Sequence, residues 1–127
     1  ELLARSRRLF RAGTAFDCAV TRLVCVRGAL ACAALDEEAL RAVGLPLDAR
    51  RPHVTLCTRR PWRPRHSNDV LEALEAEFQE ERHSGQSPPP PGGRWFRNFR
   101  VADTVVDIFV LTLREPLVLR QNLLMMV

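Results

Sequence analysis

Arg51-Pro52-His53-Val54-Thr55-Leu56-Cys57-Thr58 is a short apolar run, opened by a proline and interrupted by two polar side chains two residues apart. Side chains alternate across a strand, so His53 and Thr55 project from one face while Val54 and Leu56 project from the other. An imidazole beside a hydroxyl can move a proton and hold a phosphate oxygen. The plainer alternative is a His that only hydrogen-bonds a neighbour, next to a Thr that suits a β surface. The surrounding chain has to separate the two.

Upstream, residues 2–11 set Leu2, Leu3, Leu9 and Phe10 among arginines, which predicts a short amphipathic helix stopped by Gly13. Residues 16–26 and 29–35 read as two strands of a hairpin, with Arg27-Gly28 as the tight turn. Residues 36–43 form either a short helix ended by Gly44 and Pro46 or a turn-rich crossing.

Downstream of the motif, residues 59–66 are a loop rich in Pro and Arg. Ser67, Asn68 or Asp69 can cap a helix over 69–81, whose apolar stripe is Val70, Leu71, Leu74 and Phe78. Its glutamates (Glu72, Glu75, Glu77, Glu80 and Glu81) are expected to be solvated. Four consecutive prolines followed by Gly92-Gly93 make residues 84–93 a mobile loop that holds no ladder, and too little chain follows to form a separate core. Strands are predicted over 95–101 and 105–114, turning at Ala102-Asp103. Residues 117–127 read as a final edge strand, a docking tail or a truncation scar. The expected fold class is α+β: a mostly antiparallel sheet with flanking helices, in one domain over 1–127.

At 127 residues and 46% hydrophobic content, the chain can bury a single core. The net charge of +4 points only weakly to a polyanion. All 19 basic residues are Arg, and the absence of Lys and Tyr beside abundant Ala and Pro looks like base-composition bias. Position says more. Arg50, Arg51, Arg59, Arg60, Arg63 and Arg65 bracket the His53 strand as an electropositive rim. Trp62 and Trp95 could stack a base, although an aromatic in such a loop more often packs on its own domain.

Cys18, Cys25, Cys32 and Cys57 form no C-x-x-C pair, and no His stands at ligand spacing from them, so no metal or other cofactor is expected. They read as buried apolar thiols of a reduced compartment, the cytoplasm, with the nucleus as the alternative. No apolar run approaches the roughly 18 residues needed to span a bilayer.

The string His53-Val54-Thr55-Leu56 resembles the His-x-Thr motif of the 2H phosphoesterase superfamily. The order of elements around it is similar to the second half of the 2′,3′-cyclic-nucleotide 3′-phosphodiesterase family. The strand at 16–26, the returning strand at 29–35, Arg51 two residues before the His, the Leu-rich helix and Arg94-Trp95 in the closing hairpin all match that order. The resemblance implies one lobe, the second, of a two-lobed fold in which each lobe brings one His-x-Thr to a shared cleft.

The implied chemistry is metal-independent hydrolysis of a 2′,3′-cyclic phosphate on a nucleotide or RNA, with no DNA specificity. One imidazole acts as base, the other as acid, and each Thr holds a phosphate oxygen. His53 would be half of that pair, Thr55 a phosphate ligand, and Arg51, Arg59 and Arg60 substrate contacts. The chain holds no second His-x-Thr: His66 sits in Arg65-His66-Ser67 and His83 in Arg82-His83-Ser84. The first motif is therefore expected on an upstream lobe of a longer protein, in keeping with a chain that opens on Glu1. The alternatives are a lobe of the same fold that binds RNA or nucleotide without turnover, and one that serves protein interaction.

Overall fold

The computed structural model describes residues 15–42, 44, 51–85 and 90–123. The elements in chain order are β1 (Ala15–Val26), β2 (Leu30–Leu35), α1 (Glu37–Ala42), β3 (His53–Thr58), α2 (His66–His83), β4 (Gly92–Val101) and β5 (Thr104–Leu123). The strands form one five-stranded sheet in the order β3-β2-β1-β5-β4, every neighbouring pair antiparallel. This is the expected α+β class, and it is compatible with one lobe of a 2H phosphoesterase fold. The helix expected over 2–11 lies outside the described residues.

The hairpin β1–β2 turns where the sequence predicts. Gly28 takes φ 70°, open to a residue without Cβ, and Ala29 N–H donates to Val26 C=O at 3.0 Å. Helix α2 lies across one face of the sheet. Val70, Leu71, Leu74 and Phe78 pack on Val24, Val26, Cys32, Ile108 and Val110, and all of them are buried. Phe78 meets Phe96 edge-on, with centroids 5.9 Å apart, which anchors the helix over β4.

Cross-strand pairs share a face, so the register sorts every side chain. The row Thr55–Cys32–Val24–Val110–Arg94 looks toward α2. The row Cys57–Ala31–Cys25–Phe109–Trp95 looks the other way, and its Cys25, Cys57 and Trp95 are exposed. Only Cys18 and Cys32 are buried, which corrects the expectation of four buried thiols. Apolar flanks in a strand do not tell which face a residue takes.

Three further differences have physical causes. Helix α2 starts at His66, not 69, with Arg65 as N-cap and no side-chain capping bond. A tight turn does that work: the N–H groups of His66, Ser67 and Asn68 donate to Arg63, Pro64 and Arg65 C=O at 2.9, 3.0 and 3.2 Å. Second, residues 117–123 continue β5 instead of forming a separate edge strand, and they pair with residues 15–20 of β1. Four residues, 113–116, are looped out where Val20 pairs with Leu117 and Arg22 with Thr112, and Pro116, which has no N–H to donate, falls in that break. Third, Gly92 and Gly93 do join the ladder, opposite Thr112 and Leu111. A Cβ at Gly93 would run into the Phe109 ring, so this is a close approach of ring to backbone. Of the 84–93 loop, residues 86–89 lie outside those described.

Ile108 is fully buried at the centre of this packing, whereas Val105 on the same strand is exposed. Ile108→Ala is therefore expected to cost about 2–5 kcal/mol. Val105→Ala should stay within about 0.5 kcal/mol. Urea denaturation of the two variants checks the assignment of faces.

Candidate functional site

Strand β3 is the edge of the sheet among the described residues, held on one side by β2. His53 lies opposite Ala34 and Thr55 opposite Cys32, so both stand on the α2 side. Val54 and Leu56 are exposed, which reverses the polarity of an ordinary half-buried edge strand. His53 and Thr55 are half-buried.

The His53 ring is oriented by its own backbone. Nδ1 lies 2.8 Å from Arg51 C=O. A carbonyl can only accept, so Nδ1 carries the proton and Nε2 is the nitrogen left for chemistry. Thr55 Oγ1 lies 3.0 Å from Ser67 Oγ, and Ser67 is fully buried in the first turn of α2. Ser67 also hydrogen-bonds the Cys32 thiol, whose pKa burial pushes up to about 11 against that bond. A thiol, a buried hydroxyl and the motif hydroxyl thus form a short chain from the sheet interior to its edge.

Arg51 is engaged. Its guanidinium donates to Glu37 at 2.9 Å, and Glu37 also accepts from Arg41 at 2.7 Å. Arg59 and Arg60 are exposed at the opposite end of β3. Six residues of extended chain, with a bulge at Leu56, put Arg59 at most about 20 Å from His53. Of the three arginines expected at the substrate, only Arg51 is brought near the His.

Sequence reading missed two residues here. In the sequence Ser67 reads only as a helix cap, and nothing local marks it as the partner of Thr55. Arg22 had a signal: it is charged, yet two residues from each of Val20 and Val24, both buried. It stands on the same cross-strand row as Ala34 and His53. Its guanidinium lies 4.6 Å from the Phe78 ring centroid, and burial lowers its pKa while Glu75 opposes that shift. A cavity of about 270 Å³ opens between Arg22 and Arg51, with Ala34, Pro52, Leu71 and Glu75 in its wall.

A second groove, of about 550 Å³, opens at the other end of the sheet, between the 61–65 loop and the β4–β5 turn. Trp62, Arg65, His66, Asp69, Ala102 and Asp103 line it. His66 Nδ1 accepts the Arg63 N–H at 2.8 Å, and Trp62 meets the His66 ring edge-on at 5.3 Å. Trp62 is half-buried against the core, while Trp95 is exposed with the Arg97 guanidinium 4.1 Å from its ring centroid. Among the described residues no three His, Cys, Asp or Glu converge as a metal set, and no helix is long and apolar enough to cross a membrane.

Two measurements follow from the hydroxyl chain. In a double-mutant cycle, Thr55→Val and Ser67→Ala should couple by about 1 kcal/mol, because either change alone removes the same bond. The second measurement concerns pH. The unfolded Cys32 thiol ionises near 9.0 and the folded one near 11, so between those values the unfolded state releases a proton that the folded state keeps. Stability should fall as pH rises through that window, and Cys32→Ala should make the decline in urea midpoint shallower.

No family model and no curated protein matches this chain. Among solved structures, the chain is similar to the crystal structure of a fungal RNA kinase, with a TM-score of 0.56 and 18% identity. The match covers 95% of this chain and 31% of that one, so the chain spans under a third of that protein. At this identity the likeness is one of fold.

Proposed function

We propose that this chain is one lobe of a 2H-type phosphodiesterase acting on 2′,3′-cyclic phosphate ends of nucleotides or RNA. The observation that carries the reading is the His53 ring, fixed through Nδ1 with Nε2 free, on the same strand face as the Thr55 hydroxyl. In the neutral form Nε2 accepts a proton; once protonated, it can return one.

In the proposed reaction a water oxygen forms a bond to phosphorus as one imidazole takes its proton. The bond from phosphorus to a ribose oxygen breaks, and the other imidazole protonates that oxygen. The products are a ribose hydroxyl and a phosphate monoester. His53 supplies one of these imidazoles and Thr55 a bond to a phosphate oxygen. An upstream lobe supplies the second His-x-Thr. Arg51 is close enough to meet the anion by leaving Glu37.

A fungal RNA kinase with the same fold over nearly all of this chain supports an RNA-directed role. A second reading, a lobe that binds RNA or nucleotide ends without turnover, is favoured by the remaining histidines. His66 opens α2 and His83 closes it, so neither stands on a strand beside His53 as a second His-x-Thr would.

In the full-length protein, hydrolysis of 2′,3′-cyclic ends should fall by roughly 10²–10⁴ on His53→Ala. Hydrolysis that persists in that variant removes His53 from the chemistry. Salt-sensitive binding of cyclic-ended RNA with no turnover in the wild type selects the second reading.

A further inference from the structure

We infer that the protein takes single-stranded RNA rather than a mononucleotide, with the groove beneath the 61–65 loop holding nucleotides several positions from the end presented to His53. The cyclic end, and with it the choice of RNA, rests on the reading above; the groove as a site for single-stranded nucleic acid does not.

Arg59 and Arg60 stand up to about 20 Å from His53 along β3, too far to touch a phosphate that His53 is hydrolysing. A chain of several nucleotides spans that distance and a mononucleotide does not. The route is open, since β3 is the sheet edge among the described residues and Cys57, Thr58 and Arg59 along it are exposed.

The far end is built for a polyanion with flat rings. Arg59, Arg60, Arg63 and Arg65 are exposed, and none forms an ion pair with a carboxylate among the described residues. Arg27, Arg41, Arg51, Arg82, Arg94 and Arg97 are paired, while Arg100, Arg114 and Arg120, exposed and also without an ion pair among the described residues, lie separately along β4 and β5. Trp62 is pinned against the core and by the His66 ring, so its side toward the groove is a preformed stacking surface. With Nδ1 accepting the Arg63 N–H, neutral His66 carries its proton on Nε2 and can donate. Asp69 and Asp103 face the groove and oppose phosphate there, but as acceptors they suit the amino and imino N–H groups of a base. Guanidinium groups outside and acceptors inside match a strand whose phosphates ride the rim while a base enters. A 2′,3′-cyclic end forms on a ribose 2′-oxygen, so under the proposed function the terminal nucleotide is a ribonucleotide and the strand is taken as RNA.

The test is binding by the full-length protein, with a fluorescent single-stranded hexaribonucleotide bearing a 2′,3′-cyclic end and a cyclic mononucleotide as comparison. The hexanucleotide should bind at least tenfold more tightly. Trp62→Leu, which keeps apolar packing but removes the stacking face, should weaken it about tenfold. Arg59→Ala and Arg63→Ala, both at exposed side chains, should each lower the slope of log affinity against log salt by about 0.7. Equal affinity for the two ligands, slopes unmoved by the arginine variants, or displacement by a polyglutamate peptide as effective as by RNA would each overturn the inference. Hexanucleotide binding with these signatures but no hydrolysis supports the groove and sinks the phosphodiesterase reading. Equal kcat/KM on mononucleotide and hexanucleotide does the reverse.

Discussion

The long pairing of β1 with β5 is the constraint on which the rest of the molecule depends. These strands supply Val24, Val26, Ile108 and Val110, the floor on which α2 rests. Every other strand is placed by attachment to this pair, β2 and β3 on one side and β4 on the other. A slip of one residue would send those four side chains to the opposite face and bring Cys25 and Phe109 under the helix. The unpaired residues 113–116 hold Pro116, which has no N–H to give to the ladder. The position of His53 is inherited from this register through Ala34 and Arg22.

Where local pattern and tertiary demand agree, the elements were legible from the residues. The turn at Arg27-Gly28, the apolar stripe of α2 and the strand around His53 all follow from periodicity and turn chemistry. Legibility failed where a distant partner overrides a local signal. Glu115-Pro116 reads as a strand breaker, yet β1 pairs with β5 on both sides of it because the break falls in an irregularity of the ladder. Gly92-Gly93 reads as loop, but a glycine is what lets the Phe109 ring lie against β4. Ser67 reads as a cap and instead bonds a residue twelve positions earlier, a pairing with no sequence spacing of its own.

The candidate site was legible in part, for the same reason. His53 and Thr55 share a face as alternation requires, but alternation cannot say which face the helix covers. They share it with α2, and the apolar pair Val54 and Leu56 is left exposed. The arginines were grouped by nearness in sequence, and extended chain separates what sequence places close. Arg51 and Arg59 flank opposite ends of β3, even though the ladder slips by one residue at Leu56.

The edge position of β3 also bears on how steadily His53 is held. A strand laddered on one side opens more readily than the centre of a sheet, and amide hydrogen exchange resolves such differences as separate opening free energies. The N–H groups of β3 therefore exchange ahead of those in β1 and β5. The bond between Thr55 and Ser67 works against that fraying, since it ties the strand to a helix whose own opening requires disrupting the core. The residue proposed to hold phosphate is thus also the fastener that keeps the neighbouring imidazole in register.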